Sequence, residues 1–185
     1  MDWHLTLEAL EAGLAAAGDS PQDGGTVELI VCRPATDERR ILDEAQIDLV
    51  GGLVGDNWRA RGSRHSEDGS ANPNAQITIM NSRIIQVITG DRAHWPLAGD
   101  QLFLDLDISA ANLPPGQRIA IGEAVLEISD LPHTGCQKFT ARFGSAATRF
   151  VNSPEGRAAR RRGLNARVIQ PGTIRTGDRV TKLAP

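Results

Sequence analysis

Arg118-Ile119-Ala120-Ile121-Gly122-Glu123-Ala124-Val125-Leu126-Glu127-Ile128 is the stretch on which the reading of the fold turns. Two short apolar-rich runs flank a two-residue Gly-Glu turn, and Pro114-Pro115-Gly116 supplies a further turn before them, so the segment reads as a β-hairpin. Outward from it, Leu102, Leu104 and Leu106 alternate with Phe103, Asp105 and Asp107, the pattern of a half-buried strand. Further upstream, strand patterns cover residues 76–80, 40–48 and 27–32, the last apolar on both faces and containing Cys32 as a small buried residue. Asn81 or Ser82 caps a short helix through Ile88 that Gly90 ends. Trp3, Leu7, Leu10 and Leu14 form a stripe at helical spacing, which predicts a helix over residues 3–17, broken by Gly18-Asp19-Ser20-Pro21. Downstream, residues 167–170 and 173–176 flank Pro171-Gly172 as a second hairpin, and residues 178–183 close the chain. Seven or more short strands with few helices predict a mainly β, barrel-like α+β domain. Residues 1–25 form an N-terminal helix and linker, and residues 26–185 the domain itself.

Directly after the first hairpin stands Leu131-Pro132-His133-Thr134-Gly135-Cys136-Gln137-Lys138-Phe139. Pro132 and Gly135 favour a turn, and Phe139 and Phe143, four apart, begin a helical pattern. The sulfur of Cys136 would then stand at the mouth of a helix, where negative charge is favoured. His133, Lys138 and Arg142 add positive charge around it. A thiol is a nucleophile or metal ligand as its thiolate, and such surroundings favour that form. The competing reading is a small apolar residue in a packed turn. His133 is either a base or cation that tunes the thiol, or a hydrogen-bonding residue of the turn. Ser153 caps a further helix with Pro154 at its first position. Arg157, Arg160 and Arg161 then share one face, either solvated or ligand-binding, and Gly163 ends the helix. Residues 57–74 are polar and without period; such a segment is either a surface excursion or functional. Its Trp58, Arg59, Arg61, Arg64 and His65 make Arg59 and His65 candidate ligand-binding residues.

The chain has 185 residues, 40% of them hydrophobic, enough for one domain with a real core. No apolar run approaches the roughly 20 residues that span a bilayer, and the N-terminus lacks signal-peptide regions, so a soluble cytoplasmic protein is expected. Two cysteines, Cys32 and Cys136, are too few for a disulfide framework. The net charge of −3 conceals an asymmetry. Residues 1–130 carry 9 basic and 21 acidic side chains, whereas residues 131–185 carry 11 and 2. Cys136 therefore opens the basic part of the chain. Either that part suits a phosphate-bearing ligand, or the two parts lie together and neutralise each other. The acidic isoelectric point and the few aromatics argue against nucleic acid.

Paired Cys-x-x-Cys, His-Glu-x-x-His, phosphate-loop, dinucleotide-loop and Gly-x-Ser-x-Gly patterns are absent. A lone thiolate remains able to bind a metal whose other ligands come from a cofactor, or to carry sulfur as a persulfide.

The block around Cys136, then Arg142-Phe143-Gly144, then Phe150-Val151-Asn152-Ser153-Pro154-Glu155-Gly156, then Arg162-Gly163-Leu164, resembles the MOSC domain, the C-terminal domain type of molybdenum-cofactor sulfurases. Gly55-Asp56-Asn57-Trp58 and Gln76-Ile77-Thr78-Ile79-Met80-Asn81 resemble its bacterial stand-alone branch. The likeness runs from about Val27 to the C-terminus. It implies a β-rich, barrel-like fold and sulfur or molybdenum-cofactor (molybdopterin) chemistry. It implies Cys136 as the metal ligand or sulfur-bearing catalytic residue, with His133 beside it. It also implies Lys138, Arg142 and Thr134 as cofactor-binding residues, to which Arg59 and His65 are added as candidates. No pyridoxal phosphate is expected, because the sulfurase's aminotransferase-like domain has no counterpart in this length. Two functions follow from the resemblance. One is molybdenum-dependent reduction of N-hydroxylated small molecules with electrons from a partner protein. The other is non-catalytic carriage of persulfide sulfur from a desulfurase. A monomer or homodimer is expected.

Overall fold

The computed structural model describes residues 4–63 and 66–184. Strand β1 (Gly25–Cys32) leads into β2 (Arg40–Leu42), β3 (Glu44–Asp48) and β4 (Gly52–Leu53). β5 (Ile77–Asn81) and β6 (Leu102–Asp105) follow, then β7 (Arg118–Ile121), β8 (Ala124–Ile128) and β9 (Leu164–Gln170). β10 (Gly172–Arg175) and β11 (Arg179–Lys182) are the last. The order β11-β7-β8-β9-β5-β6-β1, with β1 pairing back onto β11, closes a seven-stranded barrel. β5 and β6 are parallel and the other barrel pairs antiparallel. The fold is thus a mainly β, α+β barrel, as the sequence predicts. The predicted hairpin forms with Ile121 opposite Ala124 about Gly122, whose φ of 54° suits glycine.

Five helices surround the barrel among the described residues: α1 (Leu7–Ala17), α2 (Trp58–Arg61), α3 (Ser82–Thr89), α4 (Gln137–Asn152) and α5 (Pro154–Ala158). Their caps are those the sequence offers. Asn81 Oδ1 accepts from Ile84 N at 3.0 Å, and Gly90 ends α3 in the left-handed region. Ser153 Oγ accepts from Gly156 N at 2.9 Å, with Pro154 at the first position of α5.

Two apolar clusters share the barrel wall. Ile30, Ile77, Ile79, Leu104, Ile121 and Leu126 fill the interior. Leu29, Val31, Met80 and Phe103 face outward under Leu10, Ile85, Phe139, Phe143 and Phe150 of the helices. β1 is therefore buried on both faces, and Cys32 with it. The same double coverage corrects the half-buried reading of residues 102–106, because Leu102, Phe103 and Leu104 are all fully buried.

Other boundaries also differ. α1 starts at Leu7, capped by Thr6 Oγ1 on Ala9 N; residues 1–3 lie outside the described residues. The single strand expected over residues 40–48 breaks at Asp43, so that β2 joins the barrel sheet while β3 joins a separate sheet of order β10-β3-β4. That sheet also dissolves the second expected hairpin: β9 pairs with β8 and β5, whereas β10 pairs with β3. Within residues 57–74, Trp58 is buried on α2 and Pro73–Ala75 forms a 3₁₀ turn. α5 ends at Ala158, so Arg157, Arg160 and Arg161 do not share a helix face. Arg161 is buried, its guanidinium lying over the Phe150 ring at 4.3 Å. Among the described residues no helix is long and apolar enough to cross a membrane.

Candidate functional site

The cysteine loop between β8 and α4 is held by side chains from three other segments. Asn165 Nδ2, on β9, donates to Leu131 O at 3.1 Å. Asn152, in the last turn of α4, clamps Gly135 both ways, accepting from its N at 2.9 Å and donating to its O at 3.1 Å. A Cβ on Gly135 would meet Asn152 and Val151 at 3.1 Å, so glycine permits this close approach. His133 Nε2 lies 2.8 Å from Asp100 Oδ1. Cys136 then takes the N-cap position of α4 in extended conformation, its carbonyl accepting from Thr140 N at 2.9 Å. Its thiol makes no cap hydrogen bond, is unpaired and belongs to an exposed residue.

Cys136 opens on a cleft of about 160 Å³ that is also lined by Arg33, Arg39, Arg61, Lys138, Arg142 and Arg162, with Asp37 at the rim and Asn57 and Phe139 in the wall. Four of these arginines are fixed by one backbone device. The 3₁₀ stretch Arg92–Ala98 ends at Gly99, φ 86°. Successive carbonyls at its end each accept from a different guanidinium. Pro96 O accepts from Arg39 Nε at 3.2 Å and Leu97 O from Arg142 Nη1 at 2.8 Å. Ala98 O accepts from Arg162 Nη2 at 3.0 Å and Gly99 O from Arg33 Nη1 at 2.8 Å. The last carbonyls of a helical turn carry its negative end, which suits cations; Pro96 O accepts from Gly99 N as well, at 3.1 Å.

Carboxylates match three of the four. Asp56, with its side chain fully buried, grips Arg33 in a two-pronged pair of 2.8 and 2.9 Å and also accepts from Trp58 N, fixing the start of α2. Asp100, wholly buried, accepts from Arg162 Nη1 at 2.6 Å, and the Arg162 guanidinium lies over Phe139 at 5.0 Å. Asp37, largely exposed, accepts from Arg142 Nη2 at 2.8 Å. The pairs Arg162–Asp100 and Arg142–Asp37 join the basic and acidic parts of the sequence, so the asymmetry is partly neutralised by contact. Lys138 and Arg61 make no side-chain hydrogen bond or ion pair among the described residues. Asn57 Oδ1 is buried with no partner among the described residues.

Burial, then the nearby charges of Arg142 and Arg33, push the Arg39 guanidinium below its usual value. Burial alone would raise the Asp100 carboxyl, but the charge of Arg162 and the contact with His133 outweigh it and hold it below the ordinary range. Burial, reinforced by Arg162, pushes His133 below its ordinary value despite Asp100. An ionised carboxylate only accepts, so His133 carries a proton on Nε2, and burial works against a second one on Nδ1. Burial thus works against a positive charge on His133, whereas the arginines and Lys138 line the thiol cleft itself. Burial, then Asp56, raises the Cys32 thiol.

Of the residues singled out from sequence, Cys136, Lys138 and Arg142 share the thiol cleft. His133 and Thr134 line a neighbouring cleft. Arg59 is exposed and close enough to Asp48 to act on its charge, while Arg61 of the same helix faces the thiol cleft. His65 and Arg64 lie outside the described residues. Sequence reasoning assigned no role to Arg33, Arg39, Asp56, Asn57, Asp100 or Arg162. Asp56, Asn57 and Arg162 sit in motifs it quoted, and Arg33-Pro34 places a charge at the end of an apolar strand.

Residues 99–181 match the family model of the MOSC domain. No curated protein sequence matches the chain. Among solved structures, the YuaD protein from Bacillus subtilis superposes with a TM-score of 0.62 at 18% identity, over 84% of this chain and 93% of that one. YiiM from Escherichia coli gives 0.57 at 16% identity, over 86% and 70%. YiiM from Geobacillus stearothermophilus gives 0.53 at 13% identity, over 89% and 75%. At these identities the likeness is one of fold.

Proposed function

We propose, from the match of residues 99–181 to the MOSC domain, that the thiol cleft receives a molybdenum cofactor with Cys136 as its metal ligand. The observation that carries the proposal is an exposed, unpaired thiol opening on a cleft lined by six basic side chains. The donor set fits such a group. Among the described residues no three His, Cys, Asp or Glu side chains converge to hold a metal, so a metal at Cys136 must arrive with ligands of its own, as in a pterin complex. Lys138 and Arg61, without side-chain partners among the described residues, would take its phosphate, and the buried Asn57 Oδ1 would accept from a ring N–H. Arg33, Arg39, Arg142 and Arg162 supply the field, and Asp56 and Asp100 hold Arg33 and Arg162 in place. At about 160 Å³ the cleft is smaller than the roughly 300–1,000 Å³ of enclosing ligand pockets, so a bound group would extend toward solvent. When bound, the cofactor supplies the redox chemistry, with N-hydroxylated small molecules as substrates and a partner protein as electron donor. His133, fixed on Asp100, keeps the cysteine loop in register.

The test is molybdenum and pterin content after expression in a cofactor-competent host. Parent protein and Cys32→Ser should carry both, and Cys136→Ser should lose the metal. Equal molybdenum in Cys136→Ser and parent sinks the ligation.

The exposure of the thiol in a small cleft also favours a second reading, persulfide carriage. The Cys136 thiolate would attack the outer sulfur of a desulfurase persulfide, break that S–S bond and release the desulfurase thiolate. Incubation with a desulfurase and cysteine should add one sulfur at Cys136 by intact mass. A reactive thiol that gains none argues against it.

A further inference from the structure

A second cleft, of about 330 Å³, adjoins the first behind the cysteine loop, and Arg162 lines both. This volume falls in the range of roughly 300–1,000 Å³ typical of small-molecule sites. Arg157, Arg160 and Arg162 line it together with His133 and Thr134. The chain reaches this arrangement through an uncommon backbone. Arg160 has φ 49°, and Asp37 is the other non-glycine residue in that region among those described. Such a conformation persists where surrounding contacts impose it, commonly at ligand clamps. Here Arg160 Nη1 donates to Leu113 O at 2.6 Å. The turn sends Arg161 away, toward Phe150 and Glu11, and leaves Arg160 and Arg162 on the cleft wall.

The charges are unevenly met. Asp100 matches Arg162. Arg160 is bound to neutral carbonyls alone, and Arg157 has no side-chain partner among the described residues. Asp130 is the carboxylate that faces them in the cleft. Leu131, Pro132, Val151 and Leu164 give the wall an apolar part, beside Ser129.

We propose that this second cleft binds a small organic anion, with its carboxylate or phosphate head on Arg157 and Arg160 and a short apolar body against Pro132 and Val151. The site is distinct from the thiol cleft and does not depend on a cofactor being bound there. An occupant lies beside His133, which bonds Asp100, which holds Arg162 in the thiol-cleft wall. Binding is thereby linked to the thiol cleft, and any such coupling must be reciprocal.

The test uses the full chain without cofactor, titrated with phenyl phosphate and with benzoate at constant ionic strength, following the His133 ring resonances. His133 should shift saturably with one of the two, which identifies the head group. Arg157 is exposed, so Arg157→Gln should keep the parent melting temperature while weakening binding at least about tenfold, as expected for a lost charge-assisted contact. Lys138→Gln, altered in the thiol cleft, should bind within about twofold of the parent by the same reasoning on separate sites. No saturable shift at His133, or equal weakening by Lys138→Gln and Arg157→Gln, overturns the proposal. Inorganic phosphate binding as tightly as phenyl phosphate overturns the apolar part of it.

Discussion

Asp100→Asn removes the counter-charge of a buried guanidinium while keeping nearly the same shape. Asp100 is 0% and Arg162 6% exposed, and the two are 2.6 Å apart. Breaking a buried pair from one side leaves an uncompensated charge and costs about 3–5 kcal/mol. That is a large share of the roughly 5–15 kcal/mol by which a domain is stable. For a chain of this size each kcal/mol moves the melting temperature by about 2–4 °C, so the midpoint should fall by about 6–20 °C. The acid limb should flatten as well. The folded carboxyl titrates below its unfolded value of about 3.9, so the unfolded chain binds more protons in between. The stabilisation is therefore complete above that unfolded value and is lost as the pH falls through the folded one. Urea and thermal unfolding of parent, Asp100→Asn and the double variant Asp100→Asn/Arg162→Met measure both effects. The double variant should regain most of the loss, because removing both charges also removes the unpaired one. A loss under about 1 kcal/mol in the single variant, or a double variant less stable than it, would refute the reasoning.

His133 should titrate below the ordinary histidine value of about 6.5, because burial and Arg162 oppose its charging. Its contribution to stability is then complete above about pH 6.5 and lost on acidification below it, a fall that His133→Gln should abolish. Gly99→Ala places a side chain at φ 86° at the end of the carbonyl row. It should cost about 1–2 kcal/mol by thermal unfolding and lower inorganic phosphate affinity in the thiol cleft, by calorimetry, as the four arginines lose register. Asp37→Asn removes an exposed partner of Arg142, so stability should change by less than about 1 kcal/mol. Calorimetry with inorganic phosphate should then show tighter binding, since Arg142 no longer has an internal anion; weaker binding would refute that view of Asp37.

Local chemistry was legible wherever the answer was local. Gly122-Glu123, Asn81 with Gly90, and Ser153-Pro154 specify a turn, a helix and a helix start through contacts within a few residues, and each forms as read. The cysteine loop was legible too: Pro132 and Gly135 break the strand, and Phe139 and Phe143 bury one face of α4 with rings 4.7 Å apart. Arg59 against Arg61 shows the limit. Both stand on one short helix in a polar segment, and only the docking of Trp58 and the grip of Asp56 on its N-terminus settle which faces the cleft.

The sequence by itself determined the kinds of element, their caps and the position of the thiol, because these rest on backbone sterics and hydrogen bonds between near neighbours. Tertiary structure decided which strands pair, sending β9 and β10 to different sheets and joining β1 to β11 across nearly the whole chain. It also decided which charges the thiol meets. Carbonyls 96–99 gather arginines from positions 33, 39, 142 and 162, and a backbone oxygen carries no mark in the sequence of the guanidinium it will hold.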